Sequence, residues 1–375
     1  MGRVQTGLER FVENPTRWIP ECRIGLLCNP ASVNRGFIHA RLLIDESYPG
    51  GLAALYAPQH GFFSEKQDNM IESSDMIDPV LGIPVFSLYD TTRIPTREMF
   101  DPIDALIIDL QDAGTRVYTF ASTLSYCLEA AKALGKKVVV LDRPNPINGR
   151  TVEGNCLSPD CASFVGRYAI AMRHGLTIGE LAVLFNDHFA IDADLTVVPM
   201  DGWKRDMYYG DTGLPWVAPS PNLPTAASAM VYPGQVLWEG THVSEGRGTT
   251  QPFELFGAPY FDTGKMRETL EPSLLAGVHL RPVVFEPTSG KWCNQGCVGF
   301  QIHVTDRETF DPYRLTLGLL QETMRHHPDA FQWKQPPYEY EVHRMPIDLL
   351  IGDRDIRKRL ENFDPITRIE ESWKD

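Results

Sequence analysis

The sequence predicts an α/β protein with a doubly wound parallel sheet in its N-terminal part and a smaller C-terminal α+β domain. Three observations predict it. Short apolar runs recur, each followed at once by polar, Gly or Pro residues, as in strands buried on both faces. Helical patterns lie between these runs, and regular alternation of strand and helix is the mark of a parallel, Rossmann-like sheet. Around Leu214–Pro233, five prolines fall in one stretch, and beyond it the alternation stops.

Taken in order, strands are expected at Ile24–Leu27, Leu52–Tyr56, Val85–Leu88, Ala105–Leu110 and Val138–Leu141. The clearest helix is Thr119–Leu134. Gly135 ends it, because glycine enters the left-handed region without a Cβ clash. Thr177 and Glu180 have capping-box spacing ahead of the run Leu181–Phe189. The proline-rich stretch excludes a long helix, since each proline lacks the N–H and crowds the preceding turn. It reads as a domain connection with ordered turns. Further on, Val283–Phe285 and Val298–Val304 read as strands. Asp311 caps a helix with Pro312 in its first turn and apolar residues through Leu319 and Leu320. The expected organisation is a Rossmann-like catalytic domain over residues 1–226 and an α+β domain over 227–375 that completes a cleft.

Composition narrows the function classes. The chain has 375 residues, 43% hydrophobic and 22% charged, which excludes disorder and suits two domains. A net charge of −14 repels phosphate backbones, so nucleic acid is not an expected partner. No apolar run reaches the roughly 18–20 residues of a membrane span. The N-terminal segment is charged throughout and does not read as a secretory signal. The seven cysteines, Cys22, Cys28, Cys127, Cys156, Cys161, Cys293 and Cys297, are scattered and odd in number. Reduced thiols and a cytoplasmic location are therefore expected. Cys293 and Cys297 lack two further ligands at comparable spacing, so no metal is expected there. The first strand runs into NPASVNRG rather than G-x-G-x-x-G, and no P-loop is present. A nucleotide cofactor is not expected.

Ligands of open parallel sheets bind beyond the carboxyl ends of the strands. After the first strand come Asn29 and Ser32. After the second come Gln59, His60, Glu65, Gln67, Asp68 and Asn69. After the fourth come Gln111, Asp112, Arg116 and Tyr118. After the fifth come Asp142, Arg143 and Asn145. Amides, carboxylates, guanidinium groups and rings on one edge suit a polyhydroxylated ligand, whose hydroxyls both donate and accept. His60 stands between Gln59 and Gly61 at a strand end and reads as functional. His174 is open between the two readings. His39, His188 and the pair His326–His327 read as structural or solvated. Trp203, Trp216 and Trp238 read as core before sugar-stacking platforms. A second dense motif, Glu239–Thr250, places Glu239, Glu245 and Arg247 among three glycines, a tight loop that approaches a ligand.

At GLLCNPASV, APQHGFFSEKQDNM, IIDLQDAGTRVYT, LDRPNPINGRTVEGN, RHGLTIGELAVLFN, PSPNLPT and EGTHVSEGRGTTQPFELFGAP, the chain resembles the exo-β-N-acetylmuramidase family, glycoside hydrolase family 171. The resemblance covers most of residues 24–260 in order. It implies a two-domain cleft that releases terminal N-acetylmuramic acid from peptidoglycan fragments, as in cell-wall recycling, with no metal or organic cofactor. One departure is visible. Many members read Glu-His-Gly where this chain has Gln59-His60-Gly61, and an amide cannot transfer a proton.

Glycoside hydrolysis needs an acid at the leaving oxygen and a second group that supplies or activates the nucleophile. With that resemblance, Glu65 is the expected acid and His60 its orienting neighbour. Burial against Phe62 and Phe63, or the charge of Asp68, would keep it protonated. Glu245 or Glu239 is the expected second carboxylate. Asp112 or Tyr118 would polarise the 2-acetamido group if the substrate assists. Arg116, Arg143 or Arg247 would pair with the lactyl carboxylate. Asn29, Gln59, Gln67, Asp68, Asn69, Gln111, Asn145, His174 and Asn222 complete the expected substrate contacts. Two other readings stay open: a non-hydrolytic muropeptide or sugar-binding protein, and a hydrolase of a different acidic amino sugar.

Overall fold

The computed structural model describes residues 3–68 and 70–373. They form two compact units. The first holds the chain up to Gly114, then Tyr118–Arg150 and Gly175–Pro221. The second holds Thr115–Val117, Thr151–His174 and the chain from Asn222 onward. Within the expected first-domain range 1–226, Thr115–Val117 and Thr151–His174 lie in the second unit, and the chain passes to that unit for the last time at 221/222.

In the first unit, β1 (Ile24–Cys28), β2 (Leu52–Ala57), β3 (Met76–Ile77), β4 (Pro84–Ser87), β5 (Ala105–Asp109) and β6 (Lys137–Leu141) follow in sequence. Strands β7 (Glu153–Cys156) and β8 (Ala171–Arg173) belong to the second unit, and β9 (Leu195–Val198) completes the sheet. Its spatial order is β3-β4-β2-β1-β5-β6-β9. All pairings are parallel except β3 with β4. The order reverses direction between β1 and β5, which makes their carboxyl ends the topological switch point.

The strands form because both of their faces are buried. Ile24, Leu26 and Cys28 of β1 share a core cluster with Leu55, Ile107, Val139 and Leu141. The same cluster takes Leu8 and Phe11 from α1 (Gly7–Glu13) and Ala40 and Ile44 from α2 (Ala40–Ser47). The intervening Leu27, Tyr56, Ile108 and Val140 are also fully buried and face the other way, since side chains alternate along a strand. That face carries Phe100 of the short α3 (Arg97–Phe100), whose ring lies 5.9 Å from that of Tyr56. It is also covered by α4 (Phe120–Leu134), most of whose residues are buried. Gly135 ends α4 at φ 65°. The capping box at Thr177 and Glu180 forms and starts α5 (Ile178–Val183) directly after Thr177; a π-helical turn at Leu184–His188 follows.

The second unit pairs β7 with β8 and builds an antiparallel sheet from β10 (Leu255–Ala258), β12 (Cys297–Val304) and β11 (Val278–Phe285), in that spatial order. Helix α6 (Ala226–Gln235) lies inside the proline-rich stretch that reads as a connection from sequence. Thr225 caps it by accepting from Ser228 N at 3.0 Å, and Pro233 lies in its last turn. After α7 (Thr263–Thr269) comes α8 (Pro312–His326), capped by Asp311, which accepts from Arg314 N at 2.9 Å. The core centres on Trp238, stacked on Phe256 at 5.1 Å. Three short helices, α9 (Pro346–Ile351), α10 (Arg354–Glu361) and α11 (Ile366–Glu371), follow.

Candidate active site

Because β1, β2, β5 and β6 run parallel, the segments that follow them emerge on one edge of the first unit. Gln59, at the end of β2, is buried, and its Oε1 accepts from Thr119 Oγ1 at 2.6 Å. Thr119 precedes α4 and makes no side-chain cap, so its hydroxyl serves the loop instead of the helix. Gln111 Nε2 donates to the carbonyls of Asp112 at 2.9 Å and Pro144 at 2.8 Å. Its Oε1 is buried without a hydrogen-bond partner among the described residues. Asp112 Oδ2 accepts from Gly114 N at 2.6 Å. Burial pushes the Tyr118 phenol well above its usual range despite the Ser220 hydroxyl beside it, so it stays a neutral donor.

Several expected ligand groups at this edge are already engaged. Asn29 donates to Pro219 O at 2.7 Å, and its Oδ1 accepts from Ala31 N at 3.1 Å, so it shapes the β1 loop. Asn145 likewise joins Leu176 O to Ile147 N. The expected lactyl-binding role of Arg143 is corrected. Its guanidinium is buried and grips Asp109 through two bonds of 2.5 and 2.8 Å, with a third to Val33 O at 3.1 Å. Asp142 accepts from Gly179 N at 2.8 Å and Thr177 Oγ1 at 3.1 Å. Burial, only partly opposed by those bonds, raises its carboxyl to about 6.

The segment after β2 turns sharply. His60 has φ 80° and Gly61 φ 84°. A left-handed histidine is uncommon and persists only where its surroundings hold it. Lys66 N donates to His60 O at 3.1 Å, and His60 Nδ1 meets Lys66 O at 2.8 Å. Phe62 is buried under the Arg41 guanidinium, 5.4 Å from its ring centroid, while Phe63 is 49% exposed. Glu65 is exposed and folds back over Gly61; a Cβ there would come within 2.6 Å of its Oε1. The apolar enclosure expected around Glu65 is therefore absent, because Phe62 turns to the core and Phe63 to solvent. Gln67 and Asp68 are exposed, and Asn69 lies outside the described residues.

The second unit holds the rest of the expected set. Arg116 is buried and donates to the carbonyls of Asn155, Ile170, Leu350 and Ile351 at 2.6–3.2 Å. It clamps three separate segments, which corrects its expected role at a ligand carboxylate. Glu239 accepts from Arg247 Nη2 at 2.7 Å and Tyr338 OH at 2.6 Å. Glu245 pairs with Arg247 Nε at 3.2 Å and Lys291 Nζ at 2.8 Å. Burial alone would raise the Glu239 carboxyl, but Arg247 and Tyr338 more than offset this and hold it below its usual range. Glu239, one of the two residues expected as the second carboxylate, is thus an ionised member of a buried network with Arg247 and Tyr338. Arg247 is spanned by two carboxylates, which likewise removes it from the lactyl group. His174 and Asn222 are buried in this unit. Among the described residues, no group of three or more His, Cys, Asp or Glu side chains is arranged to hold a metal ion. Among the described residues, no helix is long and apolar enough to cross a membrane.

Sequence reasoning missed Thr119, Ser220, Asp109, Lys291 and Tyr338 as partners of the named residues. Asp109 had a signal, as a carboxylate closing an otherwise apolar strand. Lys291 and Tyr338 had none, since they reach the Glu239–Arg247 loop from distant parts of the chain.

A doubly wound sheet with amides, a carboxylate and a phenol at its switch point defines an α/β protein for a small polar ligand. The family can be stated: the chain belongs to the exo-β-N-acetylmuramidase NamZ family. The N-terminal family model matches residues 24–227 and the C-terminal model residues 230–375. The peptidoglycan β-N-acetylmuramidase NamZ of Bacillus subtilis (strain 168) is 43% identical over 371 residues, covering 99% of this chain and 87% of that protein. A crystal structure of a DUF1343 family protein from Bacteroides fragilis aligns with a TM-score of 0.85 at 33% identity, over 99% of this chain and 98% of that one. A second from the same organism aligns with a TM-score of 0.75 at 26% identity, over 100% and 95%.

Proposed function

We propose that this chain is a glycoside hydrolase that releases terminal N-acetylmuramic acid from peptidoglycan fragments. The observation that carries the reading is the ordered match of both halves of the chain to the NamZ family, with 43% identity to a peptidoglycan β-N-acetylmuramidase. The site supports it. Gln59, Gln111 and Tyr118 offer neutral donors and acceptors, and Asp112 a carboxylate, suited to sugar hydroxyls and an acetamido group. We place substrate contacts on these four residues. The seven unpaired cysteines support a reducing, cytoplasmic setting.

The test is release of free N-acetylmuramic acid from an N-acetylmuramyl-N-acetylglucosamine disaccharide, followed by mass spectrometry, beside a chromogenic N-acetylmuramide. Turnover of both, with poor turnover of the matching N-acetylglucosaminide, is the expected result. A second reading is favoured by Gln59, which removes the ionisable group many members carry there: a protein that binds the sugar without cleaving it. Saturable binding with no released sugar would establish that alternative and end the hydrolase reading.

A further inference from the structure

We infer that Phe63 is a stacking platform for the sugar linked to the terminal N-acetylmuramic acid. The inference rests on the sugar-binding reading of the site above, and it holds whether that sugar is cleaved off or only held. Phe63 is 49% exposed. An aromatic ring left in water forgoes the stabilisation of burial, so a ring presented rigidly beside a polar site marks a contact surface.

The loop that carries Phe63 is closed at its base. His60 Nδ1 meets Lys66 O at 2.8 Å, and Lys66 N donates to His60 O at 3.1 Å. Ser64 N donates to Gly61 O at 3.0 Å inside it. His60, Gly61 and Ser64 have φ of 80°, 84° and 53°. Left-handed backbone at two non-glycine residues persists only where the surroundings hold it. Phe62 supplies the anchor. It is buried, and its ring lies 5.4 Å from the guanidinium of Arg41, which pairs with buried Asp78 at 3.0 Å. The Phe63 ring meets that of Phe62 at 5.0 Å and 77°, the edge-to-face arrangement that aromatic pairs prefer. One phenylalanine thus enters the core and holds the next at the surface. The turn after β1 adds to the same surface, with Phe37 64% and Ile38 47% exposed. Asn34 Oδ1 shapes that turn by accepting from Gly36 N and Ile38 N, both at 2.9 Å. His39 follows, with its ring 6.1 Å from that of Phe62, so the two loops share one anchor.

Position, chemistry and charge name the occupant. Phe63 is four residues beyond Gln59, at most about 14 Å of chain, and it rises from the edge of β1 and β2 beside the switch point. The surface is therefore continuous with the candidate site. A sugar has an apolar C–H face and a rim of hydroxyls. Phe63 offers an apolar face, and exposed Glu65, Gln67 and Asp68 in the same loop are groups that hydroxyls bond. The net charge of −14, with Glu65 and Asp68 beside the ring, repels an anionic membrane and a second acidic copy, but not a neutral sugar. The terminal sugar belongs to Gln59, Gln111, Asp112 and Tyr118 at the strand ends. Phe63, further out on the loop, takes the next ring along.

The test compares wild type, Phe63→Ala and Phe63→Trp on two ligands. One is the N-acetylmuramyl-N-acetylglucosamine disaccharide. The other is methyl N-acetylmuramide, used as a competitor, which has no second ring. Phe63→Ala should raise the disaccharide KM roughly 5–20-fold, the loss of one apolar ring face, and leave kcat within about 3-fold. Its inhibition constant for methyl N-acetylmuramide should stay within about 2-fold of wild type. Phe63→Trp should restore the disaccharide KM, because a flat aromatic face is returned. Should Phe63→Ala misfold, Phe63→Leu keeps an apolar contact with Phe62 without the flat ring and is expected to show the same split. Equal weakening of both ligands, no weakening of either, or no recovery in Phe63→Trp would overturn the inference. So would a wild-type dimer that Phe63→Ala dissociates with the disaccharide KM unchanged, which would give this face to a second copy. A wild-type chain that turns over neither ligand removes the hydrolase reading alone. Calorimetric Kd values for the same two ligands then decide on Phe63 by the same split.

Discussion

Replacing Arg143 with Met should unfold the first unit far more readily, not merely weaken substrate binding. The guanidinium lies 3% exposed against a fully buried Asp109, with two bonds of 2.5 and 2.8 Å between them. Removing one member of a buried pair leaves the other charge unmatched, which costs about 3–5 kcal/mol. Loss of the Val33 carbonyl bond at 3.1 Å adds to this. For a unit of this size each kcal/mol moves the melting temperature by roughly 2–4 °C. Arg143→Met should therefore lower it by about 6–20 °C in differential scanning fluorimetry. Because Asp109 is the residue left unmatched, the double variant Asp109→Leu/Arg143→Met should recover much of that loss. If instead Arg143 met a ligand carboxylate, the single variant would keep its melting temperature and lose affinity for N-acetylmuramides. A shift under about 2 °C with a selective loss of substrate affinity would refute the structural role.

Two further outcomes follow from buried carboxylates. Burial raises Asp142 from 3.8 to about 6, so the folded chain holds this proton more tightly than the unfolded chain, and its contribution is lost as pH rises through about 6. Between pH 4 and 7, unfolding free energies from urea titrations should shift in favour of Asp142→Asn over wild type by up to about 3 kcal/mol, and a pH-independent difference would refute it. In the second unit, Tyr338→Phe removes the 2.6 Å bond to ionised Glu239, which should cost about 1.5–3 kcal/mol of stability by chemical denaturation; an unchanged midpoint would show that Glu239 does not depend on it.

The strands of the first unit are legible because burial on both faces leaves continuous apolar runs, as at Ile24–Cys28 and Ala105–Asp109. β11 is half hidden. It runs from Val278, but exposed His279 and Arg281 and the internal Pro282 break its pattern. Proline is tolerated there because β11 is an edge strand. The segment 151–174 could not be assigned to the second unit from sequence. Its membership depends on pairings such as the Tyr313 hydroxyl with Asn155 Oδ1 at 2.6 Å, made across 158 residues. The polar edge was legible, because every parallel strand points its carboxyl end the same way. Which residue does what was not. Residue type shows that Arg116 can donate several bonds, but not that four carbonyls from three segments take them.

The misplaced charges share one cause. A charge taken out of water must be matched on the spot, so the buried arginines and glutamates of this chain point at one another or at backbone carbonyls. A ligand is then met by groups with bonding capacity to spare and little cost for burial. Gln111 Oε1 is such a group, since a buried acceptor without a partner costs about 1–3 kcal/mol until a donor reaches it. A sugar hydroxyl is one such donor. The same logic explains how a chain can carry Gln59 where many relatives are expected to carry Glu. The amide keeps the hydrogen bond from Thr119 at 2.6 Å and avoids burying a charge.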